Sequence, residues 1–365
     1  MNIAWFIFIT FVIAGIQAYI YGKWGLARIQ YTRSFNEKAV FEGERIEMID
    51  EISNRKLLPV PWLRLESKIS ADLQFQRQSD LDNEIDSGDF HRTLFSLMPY
   101  QKVKRRQHLT CTKRGFYQFQ TVSLSTGDVL GIGETFKSVP SPAEIIVYPP
   151  LLPMKDIPLP AHSWLGDIIV RRWIIEDPFL TSGVRDYSYG DPLNSVNWKA
   201  TARTNRLQVS KRDFSADHHL MIYINFNQNE DIWRPIIDEP LLEKALSYAA
   251  SIAQYAIANG ISTGFGCNAY FDEMKKEPIR IEPENSKQQL AHLFETMAKV
   301  KIGTSTFFDY FLRDDVERKM QGTDILLITS IVTIKMKEMI KKLEAEGNSV
   351  EVLMLESEFA HQKAN

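Results

Sequence analysis

From Ile3 to Tyr21 the chain carries no charged residue. A helix of that length spans about 28 Å at 1.5 Å per residue, close to the ~30 Å hydrocarbon core of a bilayer. The run therefore predicts a transmembrane anchor within residues 1–24. A cleaved signal peptide is the competing reading. The segment is longer than a usual signal core and no Lys or Arg stands before it, and both features favour the anchor. Lys23, Arg28, Arg33 and Lys38 all follow the run, which by the positive-inside rule places the C-terminal side in the cytoplasm. Tyr19, Tyr21 and Trp24 suit the interfacial belt at that face.

The remaining residues are enough for two domains. Hydrophobic residues make up 44% and charged residues 24% of the 365, an ordinary globular balance. A net charge of −3 argues against a nucleic-acid binder, which would present a strongly basic face. Cys111 and Cys267 lack metal-binding or disulfide spacing and read as reduced, buried thiols. Residues 34–150 alternate short β-branched or aromatic runs with turn residues, predicting a β-sandwich-like domain. Its candidate strands are 44–53, 61–70, 90–98, 102–112, 115–125 and 143–148. Phe41–Glu44 and Asn54–Lys56 read as turns, and Lys113–Gly115 reads as a hairpin turn. Lys102, Lys104, Arg105 and Arg106 read as a solvated strand edge, with anionic lipid headgroups as the alternative contact.

Residues 151–213 hold a proline-rich connector, in which the stretch Trp164–Glu176 fits a strand or a helix equally, followed by the densest pattern of special residues in the chain. There Arg185, Tyr187, Gly190 and Asp191 lead a turn, and the Gly-Asp-Pro step reads as a helix start. Leu193, Val196 and Ala200 are spaced to face inward, Asn197, Lys199 and Arg203 elsewhere, and Asn205 suits a left-handed stop. The run R-x-Y-x-x-G-D followed by N-W-K-A-T-A-R-T-N-R-L resembles the signature of the bacterial family known as domain of unknown function fifty-eight. The resemblance extends over nearly the whole chain. It implies a membrane-attached protein with a β-rich segment and a domain similar to the von Willebrand factor A fold. It also implies association with a MoxR-type AAA+ ATPase and no established catalytic activity. Many members have Asp where Asn197 stands and Gly where Asn205 stands, and many have two membrane helices rather than one.

Two roles compete for the signature residues Arg185, Tyr187, Gly190, Asp191, Trp198, Lys199 and Arg203. In the first, the cations and Asp191 form a structural network, with Tyr187 and Trp198 packing between the β and α/β parts. In the second, the cations bind an anion or a partner's carboxylate, although the glycine-rich loop that wraps a phosphate is absent.

Residues 214–365 alternate apolar runs with amphipathic helices, predicting a doubly wound parallel sheet. Asp238 is placed to cap a long helix and Gly260 to stop it, and Phe271–Glu282 is read as an added hairpin. Ligands of such sheets sit at the carboxyl ends of the strands. The resemblance places the metal motif of von Willebrand A domains there, but this chain has Asn225, Asn227 and Asn229 in the first loop, Thr304 in the second and Ser330 in the third. The metal-facing carboxylates are missing, so no divalent ion is expected, and helix capping is the plainer role for Thr304. Asp309 falls within a predicted helix and Asp324 at the amino-terminal end of its strand. No nucleophile elbow, P-loop or dinucleotide fingerprint occurs.

The expected protein is thus an α+β multidomain chain: a membrane anchor, a β-sandwich-like domain, and a von Willebrand A-like α/β domain. The expected function is that of a cytoplasmic interaction platform without cofactors, bound to membrane lipid through its first helix and partnered by an AAA+ ATPase. The alternative is an anion-binding switch or an enzyme using Arg185, Asp191, Lys199 and Arg203. The topology is testable directly. A phosphatase that is active only after export should stay silent when fused to the C-terminus, and strong activity would overturn the assignment.

Overall fold

The computed structural model describes residues 3–75, 90–128, 131, 133–159, 176–188, 195–214, 219–229, 236 and 238–356. It divides into two units, Met1–Pro150 and Leu151–Asn365. The first unit opens with α1, Ile3–Trp24. Its stretch Trp5–Trp24 is only 6% buried and is long and apolar enough to cross a membrane. Gly25 N–H still donates to Tyr21 O at 2.7 Å, after which Arg28 takes a left-handed conformation (φ 54°) and the chain enters a strand.

The strands that follow are β1 (Ile29–Phe35), β2 (Ala39–Phe41), β3 (Arg45–Asn54), β4 (Val60–Lys68), β5 (Leu73–Phe75), β6 (Phe90–Leu97), β7 (Lys102–Cys111), β8 (Gly115–Gly127) and β9 (Glu134–Tyr148). They form two sheets, ordered β1-β3-β7-β5 and β2-β9-β8-β4-β6, whose inner faces share apolar clusters. Strand β1 begins at Ile29, ahead of the expected start of the β region at Ser34. Strand β9 begins nine residues before the expected 143 and runs through Pro140 and Pro142. Beyond Ile146–Tyr148, where it pairs with β2, its only backbone ladder among the described residues is with β8, and on the other side Ser141 Oγ accepts from Arg33 N–H at 3.1 Å. A proline is tolerated on such a one-sided strand because no ladder bond is lost. Residues 112–114 do not form the expected hairpin turn. They pass from β7 in one sheet to β8 in the other.

Between the two apolar clusters lies a polar layer. Along β1, Tyr31 joins the first cluster, Phe35 packs against the second, and Arg33 stands between them. Ile52, Asp50 and Met48 repeat this order on β3. Arg33 and Asp50 are directly opposite in the register and buried. Arg33 Nε donates to Asp50 Oδ1 at 2.9 Å, Arg33 Nη1 to Ser67 Oγ at 3.1 Å, and Tyr31 Oη to Asp50 Oδ1 at 2.6 Å. A one-residue slip of β1 would turn its buried face outward, so register is strongly specified here. His91 lies opposite Ser67, stacked on Phe75 with ring centroids 4.1 Å apart.

The second unit contains β10 (Glu176–Asp186), α2 (Trp198–Thr204), β11 (Gln208–Phe214), β12 (His219–Ile224), α3 (Glu239–Ala258), β13 (Ser262–Cys267), β14 (Ile279–Glu284), α4 (Lys287–Lys299), α5 (Phe308–Glu317), β15 (Thr323–Thr329), α6 (Ile334–Ala345) and β16 (Ser349–Met354). Strands β10 and β11 pair antiparallel as a separate ribbon. The main sheet has the order β14-β13-β12-β15-β16. Four strands are parallel as expected, but β14 runs antiparallel at one edge because it returns directly from β13 without a crossover helix. Asp238 caps α3 by accepting from Leu241 N–H, and Gly260 adopts φ 80° just beyond its end. Helices α5 and α6 cover one face through Phe308, Phe311, Met336 and Leu343 against Met221, Tyr223, Ile325 and Leu327. Alternate residues of β12 point to the other face, and α3 packs against β12, β13 and β15. Since β13 and β15 flank β12, strand order reverses at the carboxyl end of β12, the place where such sheets open a crevice.

The polar layer of the first unit sets a pH dependence. Burial, followed by the charge of Arg33, lowers the His91 imidazole from 6.5 to about 4. Below pH 6.5 the unfolded chain therefore takes up a proton that the folded chain refuses until about pH 4. The unit should lose about 3 kcal/mol of stability across that window, being most stable above it. Amide exchange of β1 and β3, measured from pH 7 to 4.5, should accelerate in the native chain beyond the intrinsic pH trend, and a His91→Leu variant should lose that excess.

Candidate functional site

The loop after β12 is built from amides. Asn225 N–H donates to Ile328 O at 2.9 Å, extending the ladder by one residue, and its Oδ1 accepts from Asn227 N–H at 2.9 Å. Its Nδ2 donates to Thr329 Oγ1 at 3.0 Å, and that hydroxyl donates to Ile331 O at 2.6 Å. Across the crevice, Asn268 follows β13. Its Oδ1 accepts from Phe226 N–H at 2.8 Å, while its Nδ2 donates to Asn227 Oδ1 at 2.6 Å and Thr306 O at 2.9 Å. Ser305 N–H and Oγ both donate to Asn268 O, at 2.7 and 2.8 Å. Asn225, Asn227, Asn268 and Thr329 are all buried. Gln228 completes the frame with two bonds to the backbone of Asp238, tying the loop to the start of α3.

The structure thus brings Asn225 and Asn227 together with the second loop through Asn268, which the sequence reading missed. Asn229 and Thr304 are partly exposed, and the Ser330 hydroxyl is buried without a hydrogen-bond partner among the described residues. Thr304 does not cap a helix. Helix α5 starts at Phe308 with Phe307 before it and no side-chain cap, because the intervening residues are held by Asn268 instead. Asp309 lies in the first turn of that helix, and Asp324 pairs with Leu220 at the amino-terminal end of β15.

This donor set does not fit a divalent cation. Such an ion needs oxygens carrying negative charge, with their lone pairs free to converge. Here Asn225 and Asn268 turn N–H groups toward protein acceptors, and the Oδ1 atoms already accept from the protein. Among the described residues no group of three or more His, Cys, Asp or Glu is placed to share an ion.

A second buried ionic contact holds the antiparallel edge of the sheet. Arg280 of β14 reaches Asp315 of α5 at 3.0 Å and Phe311 O at 3.1 Å, its guanidinium lying 4.3 Å from the Phe311 ring centroid. Burial, opposed by Arg280, raises the Asp315 carboxyl to about 6. A cavity of about 630 Å³ includes Arg280, Glu295 and Lys299 in its lining, but Glu295 and Lys299 pair with each other at 2.5 Å.

Only part of the expected signature network lies within the described residues. Gly190 and Asp191 lie outside the described residues. A helix starts at Trp198, where Asn197 is its N-cap and accepts from Ala200 N–H at 3.0 Å, and the expected start at Pro192 also lies outside the described residues. Asn205 ends it with φ 53°. Val196 is buried and bridges to Val209, and Gln208 donates to Asp186. Tyr187 is partly buried, its N–H donating to Leu207 O at 2.9 Å. Trp198, expected to pack, is instead 69% exposed. Arg185, Lys199 and Arg203 are also exposed, and Lys199 and Arg203 form no ion pair among the described residues. In the first unit the basic cluster is not a bare edge. Lys102 and Lys104 pair with Glu51 at 2.6 and 3.2 Å, and Arg105 lies over Phe95.

Residues 183–356 match the model of a family described as Protein of unknown function DUF58. The match starts within β10 and ends just past β16, so it takes in the ribbon with α2 and the whole α/β sheet. Over 353 residues the chain is 19% identical to the uncharacterised protein YeaD of Bacillus subtilis strain 168, covering 96% of this chain and 82% of that one. Among solved structures it is similar to a non-cellulosomal cohesin of Archaeoglobus fulgidus (TM-score 0.23, 14% identity, 32% of this chain and 91% of that one). It is also similar to the seventh ScaB type I cohesin of Pseudobacteroides cellulosolvens (TM-score 0.22, 14% identity, 34% and 95%). Likeness at those scores carries no inference.

Asn268→Ala should remove the partners of Phe226 N–H, Thr306 O and Asn227 Oδ1 together. Leaving a buried polar group unsatisfied costs roughly 1–3 kcal/mol, so about 3 kcal/mol or more is expected. Urea denaturation followed by far-ultraviolet circular dichroism would read that loss, and an unchanged midpoint would contradict the closed network.

Proposed function

We propose that this chain is a membrane-anchored interaction protein rather than an enzyme, with both units on the cytoplasmic side. In this reading α1 remains in the membrane. Lys23 in its last turn and Arg28 and Lys38 beyond its end are exposed, whereas Arg33 is committed to the buried pair with Asp50. The α/β unit is a von Willebrand A-like domain that recognises a protein by shape and hydrogen bonding, since the amide network at its crevice is closed to a bridging metal. The sheet order and the position of Asn225 at its reversal point support this assignment.

The observation that carries the reading is the exposure of Trp198, with Lys199 and Arg203 exposed on the same short helix α2. Tryptophan and arginine are the side chains most enriched at the centres of protein interfaces, and a tryptophan left in water favours a partner that buries it. The family resemblance supplies a MoxR-type AAA+ ATPase as that partner. The alternative, an anion switch, uses the same cations but gives Trp198 no role.

Capture of a MoxR-type ATPase by the full-length protein in nanodiscs should fall at least tenfold for a Trp198→Ala, Arg203→Ala variant with an unchanged circular dichroism spectrum. Undiminished capture would overturn the assignment of α2. Saturable inorganic phosphate binding that Trp198→Ala leaves intact would favour the anion switch.

A further inference from the structure

The end of the β-sandwich from which α1 departs carries its own pattern. Lys56, in the loop between β3 and β4, is buried and donates to Gly25 O and, at 3.0 Å, to Ala27 O. Arg55 N–H donates to Arg28 O at 3.1 Å. Asn54 Nδ2 bridges that loop to the one between β6 and β7, donating to Leu58 O at 2.9 Å and Met98 O at 3.0 Å, and Tyr100 N–H donates to Lys56 O at 3.3 Å. The helix exit and the two loops are therefore one hydrogen-bonded assembly.

What that assembly shows to its surroundings is unusual for a protein surface. Leu57 is 75%, Met98 64% and Tyr100 70% exposed, and Trp24 of the last helical turn is 46% exposed. Arg28 and Arg55 are exposed beside them. The carboxylates of neighbouring strand ends are already committed, Glu51 to Lys102 and Lys104 and Glu134 to Arg64. Exposed apolar and aromatic side chains interleaved with arginines that form no ion pair among the described residues have the chemistry of a bilayer interface. Aromatic rings settle at headgroup depth, and cations are drawn to an anionic surface.

We infer that this end of the sandwich is a membrane seat: Leu57, Met98 and Tyr100 enter the headgroup region of the bilayer that holds α1, and Arg28 and Arg55 meet its anionic lipids. The inference rests on the reading of α1 as a retained anchor. Continuity argues for the bilayer over any other occupant. The loops are bonded to the backbone that directly follows α1, at Gly25, Ala27 and Arg28, so the surface they present is brought to the headgroups wherever α1 is inserted. The seat also fits a contrast among the described residues: Lys102 and Lys104 of β7 pair with Glu51, whereas Arg28 and Arg55 form no ion pair.

Depth-dependent fluorescence quenching tests the seat and the anchor separately. Single cysteines replacing Ile13, Leu57, Tyr100 or Lys113 in the full chain can be labelled under native conditions, because Cys111 and Cys267 are buried. Lys113 lies at the opposite end of the sandwich, where β7 passes to β8. In liposomes of phosphatidylcholine and phosphatidylglycerol with brominated acyl chains, the Ile13 probe should be quenched best by deep bromines and the Leu57 and Tyr100 probes by shallow ones. The Lys113 probe should be unaffected. Replacing phosphatidylglycerol by phosphatidylcholine should weaken quenching at Leu57 severalfold, as should Arg28→Gln with Arg55→Gln. Quenching at Ile13 without quenching at Leu57 and Tyr100 would overturn the seat and leave the anchor standing. No quenching at Ile13 would overturn the anchor, and the seat with it. Equal quenching at Leu57 with and without anionic lipid would overturn the role given to the arginines.

Discussion

The last turn of a helix leaves carbonyl groups without intrahelical partners, and the chain that leads from it into a packed domain must not bury further carbonyls unpaired. Here the chain beyond α1 meets Lys56, whose ammonium is held by Gly25 O and Ala27 O. Burial lowers that ammonium to about 8, so desolvation opposes a contact that the two carbonyls and the helix dipole favour. With Tyr21, Leu26 and Ile29 buried in the same region, the contact turns a helix followed by a sandwich into one body. In the proposed anchored arrangement a flexible tether would leave the sandwich free to turn, whereas a clasped one holds a chosen face toward the membrane.

Two other polar contacts do comparable work deeper inside. Arg33 and Asp50 divide the core of the sandwich into two apolar clusters, and Arg280 with Asp315 joins the antiparallel edge of the α/β sheet to α5. A buried pair of this kind adds little net stability over apolar residues, but losing one partner is expensive. The amides of the β12 loop likewise satisfy one another. The polar chemistry inside this protein is directed at its own architecture, whereas Trp198 and the residues around Leu57 are turned outward.

Legibility in the sequence followed the range of the interaction responsible. Helix α3 was readable because Asp238, Gly260 and the apolar spacing between them are local signals. Strands β3, β7 and β8 were readable from alternation. Strand β1 was not, because Arg33 occupies an inward position where the pattern calls for an apolar residue, and its partner Asp50 belongs to another strand. The early half of β9 was hidden by two prolines that a one-sided strand tolerates. At the site, the missing carboxylates were plain from Asn225 and Asn227. What replaced them depends on Asn268, which approaches only after β13 is laid beside β12. Asn197 was visible as a departure from the family pattern, yet its role as the cap of α2, and the exposure of Trp198 that follows, required the backbone.

The clasp at Lys56 is most directly tested by the distance between α1 and the sandwich. Spin labels replacing Ile13 and Lys137, with Cys111 and Cys267 removed, can be measured by pulsed electron resonance on the full chain in nanodiscs. A single narrow distance distribution that broadens in a Lys56→Ala variant is predicted. A broad distribution in the unaltered chain, or a narrow one that Lys56→Ala leaves unchanged, would contradict the clasp.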